Sequence, residues 1–243
     1  ATFSGKAARS RWLEMLIGPL RFDVPLSRLA GTYLADFEIE IVPLPLAPDE
    51  RASYDAHRNR FLAWFRPFMD AHPGSTWKDC VVEATGSREG REALRSLEMS
   101  RDVIGLSRHK LATLELLLDL HRLDAKLVFT PDNRTAYEVS RRLLVPAITC
   151  DIARREREEI LERFGRGTYR TLVSARVLNE GFDIPEASVA IILGGSSDPV
   201  AYAQRTGRVL RPAPGKKALI YELLATGTSD WRVPQRRTRS GDA

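Results

Sequence analysis

The stretch from Gln204 to Pro212 combines side chains that bind phosphate. Three arginines and one glutamine lie within eight residues, and a proline ends the segment. If residues 201–211 form a helix, Gln204, Arg208 and Arg211 are spaced i, i+4 and i+7 and share one face. A guanidinium presents a planar fork of donors that matches phosphate oxygens, and it stays charged at any working pH. A solvated basic helix would carry the same pattern, so the rest of the chain must decide between the two readings.

A second polar stretch follows a predicted strand that ends at Ser174. The Ser174 hydroxyl at the strand end could meet a backbone phosphate, and Arg176 follows closely. Gly181 permits a turn close to a ligand, and the Asp183 carboxylate can accept a hydrogen bond from a ribose hydroxyl. The alternative for residues 179–185 is an ordinary surface turn.

From about residue 108 onward, short apolar runs alternate with amphipathic helical patterns. The predicted strands are 126–130, 147–150, 169–174, 187–193 and 218–224, and the predicted helices are 110–121 with Ser107 as its cap, 133–144, 153–164 and 199–211. This alternation predicts an α/β fold, a doubly wound and mostly parallel sheet with helices on both faces. Ligands of such folds bind beyond the carboxyl ends of the strands, where Ser174 is expected.

The preceding half is less regular and mainly helical. The predicted elements are a helix at 8–17, an edge or linker strand at 36–46, a helix from Asp49 to about 71, and a helix at 88–101 whose arginines either contact phosphates or face solvent. The expected organisation is therefore four parts. They are an entry segment 1–46, a helical segment 47–103, an α/β lobe 104–225 and a basic flexible tail 226–243.

Composition narrows the functional classes. The net charge of +5 and the pI near 9.4 favour a polyanionic partner. No run is long and apolar enough to predict a membrane span, and two distant cysteines and four scattered histidines predict no disulfide framework and no metal site.

The chain lacks the usual means of holding nucleotide phosphates. The nearest Gly-Lys pair, Gly215-Lys216, has Leu210 where the P-loop pattern requires glycine and Lys217 where it requires serine or threonine. Nor does any predicted strand end in acidic residues of the Walker B type. Because the arginines suit a phosphate that the chain cannot cradle, we expect that phosphate to be placed from outside the chain.

Three stretches together resemble motifs IV, V and VI of superfamily 2 helicases, and most closely the C-terminal half of XPB-type DNA helicases. They are Leu127–Thr130, Val177–Pro185 and Gln204–Arg211. The resemblance implies a RecA-like second lobe, with residues 47–103 as a thumb-like insertion that grips DNA and residues 1–35 as the trailing end of a first lobe.

The resemblance also implies roles for individual residues. Arg208 and Arg211 match arginine fingers and Gln204 the residue facing the γ-phosphate, while Arg205, Gly181 and Asp183 match positions beside ATP. Thr130, Asn133, Ser174 and Arg176 would contact the single-strand backbone. ATP and Mg²⁺ would be held mainly by the absent first lobe, so this chain alone is expected to be inactive although the whole is an ATP-dependent helicase.

The implied partners are single-stranded and forked DNA, the first lobe of the same protein and a repair nuclease, with no membrane. By the same resemblance the protein moves 3′-5′, acts in DNA repair or transcription-linked duplex opening, and resides in the cytoplasm at the nucleoid, or in a eukaryotic nucleus. Two alternatives stay open. One is a non-catalytic binding module derived from a helicase lobe, and the other is a motor subunit of a restriction or remodelling machine.

Overall fold

The computed structural model describes residues 35–175, 187–194 and 217–232, together with Tyr202, Thr206, Gly207 and Val209. Its strands are β1 (Asp36–Leu44), β2 (Lys126–Phe129), β3 (Ala147–Ile148), β4 (Thr171–Ser174), β5 (Val189–Ile192) and β6 (Lys217–Ala225). Its helices are α1 (Pro48–Ala71), α2 (Trp77–Gly86), α3 (Arg88–Gly105), α4 (Arg108–Leu120), α5 (Asn133–Leu143) and α6 (Arg154–Gly165).

The six strands form one sheet in the order β1-β6-β5-β2-β4-β3, and every pair in it is parallel. The four-residue strands β2, β4 and β5 are buried throughout, as expected for strands covered on both faces. One face packs against Leu114 of α4 and Val139 of α5. The other packs against Phe164 of α6 and against Val209. The predicted doubly wound α/β fold is confirmed.

Strand β1 belongs to this sheet, which the sequence did not indicate. Residues Asp36–Leu44 pair in parallel with β6 along their whole length. The strand was expected in an entry segment ending at residue 46, but it is the edge strand of the same lobe. Its edge position agrees with Pro43, since proline cannot donate to a second neighbour.

The amino-terminal edge of the sheet is closed by a side-chain network. His121 contacts Asp124 Oδ2 and the Tyr221 hydroxyl, each at 3.0 Å from a ring nitrogen. The nearly buried Lys126 ammonium donates to the carbonyls of His121 and Asp124 at 2.7 and 2.9 Å. This network stabilises the turn that leads into β2.

The helical segment α1–α3 has its own small core. Phe61 of α1 is buried with Ala93 and Leu97 of α3, and Trp64 and Phe65 pack against them. The sequence predicted α1 and α3 but not α2, which begins after a capping box formed by Thr76 and Asp79. A second cluster, in which Tyr54 meets Ala225, joins the segment to the carboxyl end of β6.

Helix α4 begins at the predicted place, but the predicted cap, Ser107, does not bond to its first amide. Ser107 stands at the N-cap position, yet its buried hydroxyl makes no hydrogen bond with the described residues. Instead, the first amide of α4, on Arg108, donates to Glu50 Oε1 of α1 at 2.8 Å. Glu50 thus satisfies a donor that the preceding serine leaves free, and it joins the helical segment to the lobe.

Residues 226–232 are not part of a free tail, contrary to the expectation for residues 226–243. Thr228 and Asp230 are buried, and the Ser229 amide donates to the Tyr54 hydroxyl at 2.8 Å. The guanidinium of Arg51 donates to the carbonyls of Thr226 and Gly227 at 2.5 and 3.1 Å. The chain after β6 is therefore held by α1.

A pair of glycines tests the packing of α2 against α3. A Cβ at Gly90 would lie 2.4 Å from the carbonyl oxygen of Ala84, whereas a Cβ at Gly86 would meet nothing within 4 Å. We expect Gly90→Ala to lower the free energy of unfolding by about 1–3 kcal/mol, because backbone must shift. Gly86→Ala, the control, should be neutral or raise it by about 0.4–1 kcal/mol. Urea titrations measure both, and equal effects would contradict the α2–α3 contact.

Candidate functional site at the carboxyl ends of the strands

Thr130 and Ser174 meet at the carboxyl edge, as their positions after β2 and at the end of β4 require. Phe129 pairs with Ser174, and the Thr130 amide donates to the Ser174 carbonyl at 2.9 Å. Both side chains are fully buried. The Thr130 hydroxyl donates to the Asp132 carbonyl at 2.9 Å, and the Ser174 hydroxyl to the Ala175 carbonyl at 3.3 Å. The two hydroxyls therefore have protein partners and do not point freely outward.

Asn133 lies at the surface of the same edge, as the first residue of α5. Its helix is capped by Asp132, whose carboxylate accepts from the Thr135 amide at 2.8 Å. The half-buried Asn133 amide nitrogen donates to Asp151 Oδ2 at 3.0 Å and lies 2.9 Å from the Cys150 sulfur. Among the predicted DNA-contacting residues that the structure describes, Asn133 is the accessible one.

Asn133 belongs to a polar cluster that the sequence did not reveal. It consists of Asn133, Tyr137, Thr149, Cys150 and Asp151. The Tyr137 hydroxyl lies 2.6 Å from Thr149 Oγ1 and 3.4 Å from Asp151 Oδ2. Two signals could have found the cluster. Tyr137 lies one helical turn after Asn133, and residues 149–151 directly follow a strand of a parallel sheet.

Strand β5 ends beside the loop that follows β2. The Leu193 amide donates to the Phe129 carbonyl at 2.9 Å, which continues the β2–β5 pairing. A Cβ at Gly194 would lie 3.3 Å from the Pro131 side chain, so the backbone passes close to this ring. The carboxyl end of β5 is thus held next to Phe129 and Pro131, the residues on either side of Thr130.

Lys110 is a functional candidate that sequence reasoning did not identify. The side chain is fully buried, and its ammonium donates to Asp230 Oδ2 at 2.6 Å and to the Leu193 carbonyl. Burial lowers the pKa of Lys110, and the neighbouring Asp230 carboxylate opposes this shift. Its spacing was informative, because positions 110, 114 and 117 share the buried face of α4.

The remaining predicted residues lie outside the described part of the chain. These are Arg176, Gly181, Asp183, Gln204, Arg205, Arg208 and Arg211. Four neighbours of the last group are described and helical, namely Tyr202, Thr206, Gly207 and Val209. Thr206 donates to the Tyr202 carbonyl at 3.0 Å, and Val209 is fully buried on the sheet. A Cβ at Gly207 would meet nothing within 4 Å, so the space there is open.

Among the described residues we find neither a metal site nor a membrane span. No group of three or more histidine, cysteine, aspartate or glutamate side chains is arranged to hold a metal ion. Nor does any described helix combine the length and the apolar content needed to span a membrane.

Comparisons with known proteins agree with this arrangement. Residues 109–213 match the helicase conserved C-terminal domain. The chain is 33% identical over 224 residues to the DNA 3′-5′ translocase XPB2 of Sulfurisphaera tokodaii, covering 92% of this chain and 51% of that protein. It is 27% identical over 242 residues to the DNA 3′-5′ helicase XPB of Mycobacterium tuberculosis, covering 98% and 37%. The chain thus spans about half or less of these relatives.

Solved structures share the fold. The C-terminal part of the Fun30 ATPase domain superposes with a TM-score of 0.60 at 12% identity, over 84% of this chain and 90% of that one. The SWI2/SNF2 ATPase core of Sulfolobus solfataricus, in complex with dsDNA, gives 0.60 at 18% identity, over 86% and 46%. At these identities the likeness concerns the fold alone.

The sheet is that of a RecA-like α/β lobe, and residues 109–213 match the conserved C-terminal domain of helicases. Proteins named XPB align over nearly the whole length of the chain.

Proposed function

We propose that this chain is the second motor lobe of an ATP-dependent DNA helicase or translocase. The observation that carries the proposal is the 33% identity, over 92% of the chain, to a protein named as a DNA 3′-5′ translocase. The match of residues 109–213 to the helicase conserved C-terminal domain supports it.

On this proposal the chain supplies half of an ATP site. Arg208 and Arg211 would act as arginine fingers and Gln204 would face the γ-phosphate, with Arg205, Gly181 and Asp183 beside the nucleotide. The P-loop and the Mg²⁺ ligands would come from a first lobe, since this sequence contains no P-loop. Arginine forks stabilise charge on a transferring phosphoryl group, but only when both lobes close around it. Hydrolysis is thereby tied to movement of the lobes.

The DNA contacts that we propose lie at the same edge. Asn133 is the strongest candidate, because its half-buried amide lies at the surface beside Asp151. Thr130 and Ser174 would have to exchange their present hydroxyl partners for phosphate oxygens, and Arg176 would add a charged contact. Contacts of this kind position a strand without reading its sequence.

The wider biology follows only from the likeness to XPB proteins. We propose 3′-5′ movement, a role in DNA repair or transcription-linked duplex opening, and a place at the nucleoid or in a nucleus. Forked DNA, the first lobe and a repair nuclease are the proposed partners.

The test of the proposal is ATP hydrolysis by the full-length protein. We expect hydrolysis stimulated by single-stranded DNA, and none from the 243-residue chain alone. A full-length protein that binds DNA but hydrolyses no ATP would instead favour the binding module.

The exposed Cys150 gives a direct probe of the DNA face. It lies beside Asn133, whereas Cys80 is buried and burial raises the pKa of its thiol. We expect a maleimide to label Cys150 rapidly and Cys80 only on unfolding, and saturating single-stranded DNA to slow Cys150 labelling severalfold. Mass spectrometry of the labelled chain measures both rates. Unchanged Cys150 labelling at saturating DNA would place the strand elsewhere, and a Cys150→Ser variant provides the background rate.

A further inference from the structure

The buried ammonium of Lys110 joins three parts of the lobe that are distant in sequence. It lies in the first turn of α4, donates to the Leu193 carbonyl at the end of β5, and pairs with Asp230 after β6 at 2.6 Å. Neither charged side chain is appreciably exposed, with 0% for Lys110 and 6% for Asp230. Moving any of the three parts alone would leave a buried charge or carbonyl without its partner, which costs far more than breaking a surface pair.

The turn that carries Asp230 is bonded to the helical segment. Asp230 Oδ2 also accepts from the Ala225 amide at 3.1 Å, and the Asp230 amide donates to the Thr228 hydroxyl at 3.1 Å. The same turn donates through the Ser229 amide to the Tyr54 hydroxyl of α1 at 2.8 Å. A displacement of α1 would therefore pull on the turn that carries Asp230.

Leu193 directly follows β5 and precedes the arginine-bearing stretch in the sequence. The Leu193 amide is bonded to Phe129 and its carbonyl to Lys110, so both polar backbone groups are fixed. Gly194 is pressed against Pro131 directly afterward. Arg208 follows fifteen residues later in the sequence.

We infer that Lys110 is a positioning residue, which fixes the carboxyl end of β5 relative to the turn held by α1 and so sets where the arginine-bearing stretch begins. The inference rests on the proposed function, in which those arginines act on ATP. It gives the helical segment a physical connection to the ATP half-site through Tyr54, Asp230, Lys110 and Leu193.

The decisive variant is the double substitution Lys110→Met/Asp230→Leu in the full-length protein. Replacing both members of a buried ion pair with apolar side chains of similar volume is often neutral or stabilising. The double variant should therefore stay folded, although it loses the bond to the Leu193 carbonyl and the bond from the Ala225 amide. We expect its kcat for ATP to fall about 100-fold, the order that a small misplacement of a reacting group costs, with little change in KM.

A second variant keeps the inference testable if the double variant folds poorly, and a second readout applies to the double variant if it folds. Tyr54→Phe removes the acceptor of the Ser229 amide without disturbing a charge, and we expect a severalfold lower kcat at an unchanged melting temperature. In the 243-residue chain, the Leu193 amide of the double variant should exchange with deuterium faster than in the wild type. This second readout does not depend on ATP hydrolysis.

The outcomes separate the two proposals. A wild-type protein without DNA-stimulated ATP hydrolysis would overturn the proposed function, whatever Lys110 does. If the wild type is active and the stably folded double variant has full kcat and unchanged Leu193 exchange, Lys110 is structural only and the inference is wrong. A wild-type kcat for Tyr54→Phe would remove the connection to the helical segment.

Discussion

Replacing Arg208 with alanine in the full-length protein is expected to lower DNA-stimulated ATP turnover by about 10³- to 10⁵-fold, the range that arginine fingers contribute in related NTPases. The guanidinium fork would neutralise charge on the phosphoryl group, which an alanine side chain cannot do. Arg208→Lys should restore little, because a lysine keeps the charge but lacks the planar fork. DNA binding should change only slightly, since the residues that we propose for contacts with the DNA backbone are other ones. Steady-state ATP hydrolysis and DNA binding by fluorescence anisotropy measure the two effects.

Arg166→Ala is the matched control for this substitution. Arg166 caps the far end of α6 and pairs with Glu162 on the helix surface, with 73% of its side chain exposed. A surface pair of this kind contributes little to stability, so turnover should stay at the wild-type rate. Wild-type turnover in Arg208→Ala would show that the finger assignment is wrong.

The sequence predicted the central fold well because its signal is local. Strands β2, β4 and β5 are short apolar runs, and α4 and α5 carry apolar residues at helical spacing. Burial on both faces of a parallel sheet produces this pattern whatever the pairing partner. The contact between Thr130 and Ser174 follows from the same rule, since parallel strands end at one edge.

Features that depend on distant pairings were not predictable from periodicity. β1 pairs with β6, although the strands lie about 180 residues apart in sequence. Lys110 meets Asp230 across 120 positions, and Arg108 takes its cap from Glu50 across 58. Neither a lone lysine in a helix nor an aspartate after a strand identifies its partner. The tail was therefore expected to be free from residue 226 onward, whereas α1 holds its first residues.

The burial of the hydroxyls that were predicted to contact DNA is the second feature that the sequence did not reveal. Position at a strand end indicated that Thr130 and Ser174 face a ligand, but both hydroxyls bond to nearby carbonyls instead. Serine and threonine readily form such local bonds, which sequence cannot distinguish from contacts with a ligand. Asn133 has a longer side chain on the first turn of a helix, so it reaches the surface.

Leu114→Ala is expected to lower the free energy of unfolding by about 2–5 kcal/mol, because a fully buried leucine leaves a cavity between α4 and the sheet. A domain has only about 5–15 kcal/mol of stability in total, so the loss is a large share. For a chain of this size each kcal/mol lowers the melting temperature by about 2–4 °C. Thermal unfolding followed by circular dichroism measures the change.

Leu116→Ala makes the same chemical change two residues away on the same helix. Leu116 is 71% exposed, so its loss removes almost no buried area, and the free energy of unfolding should stay within about 0.5 kcal/mol of wild type. The comparison separates packing from helix propensity, because both sites exchange leucine for alanine within α4. Equal destabilisation by the two substitutions would mean that α4 does not present Leu114 to the sheet. Lys110 lies one turn earlier on that same face, so its buried contacts with Leu193 and Asp230 would then fall with the assignment of Leu114.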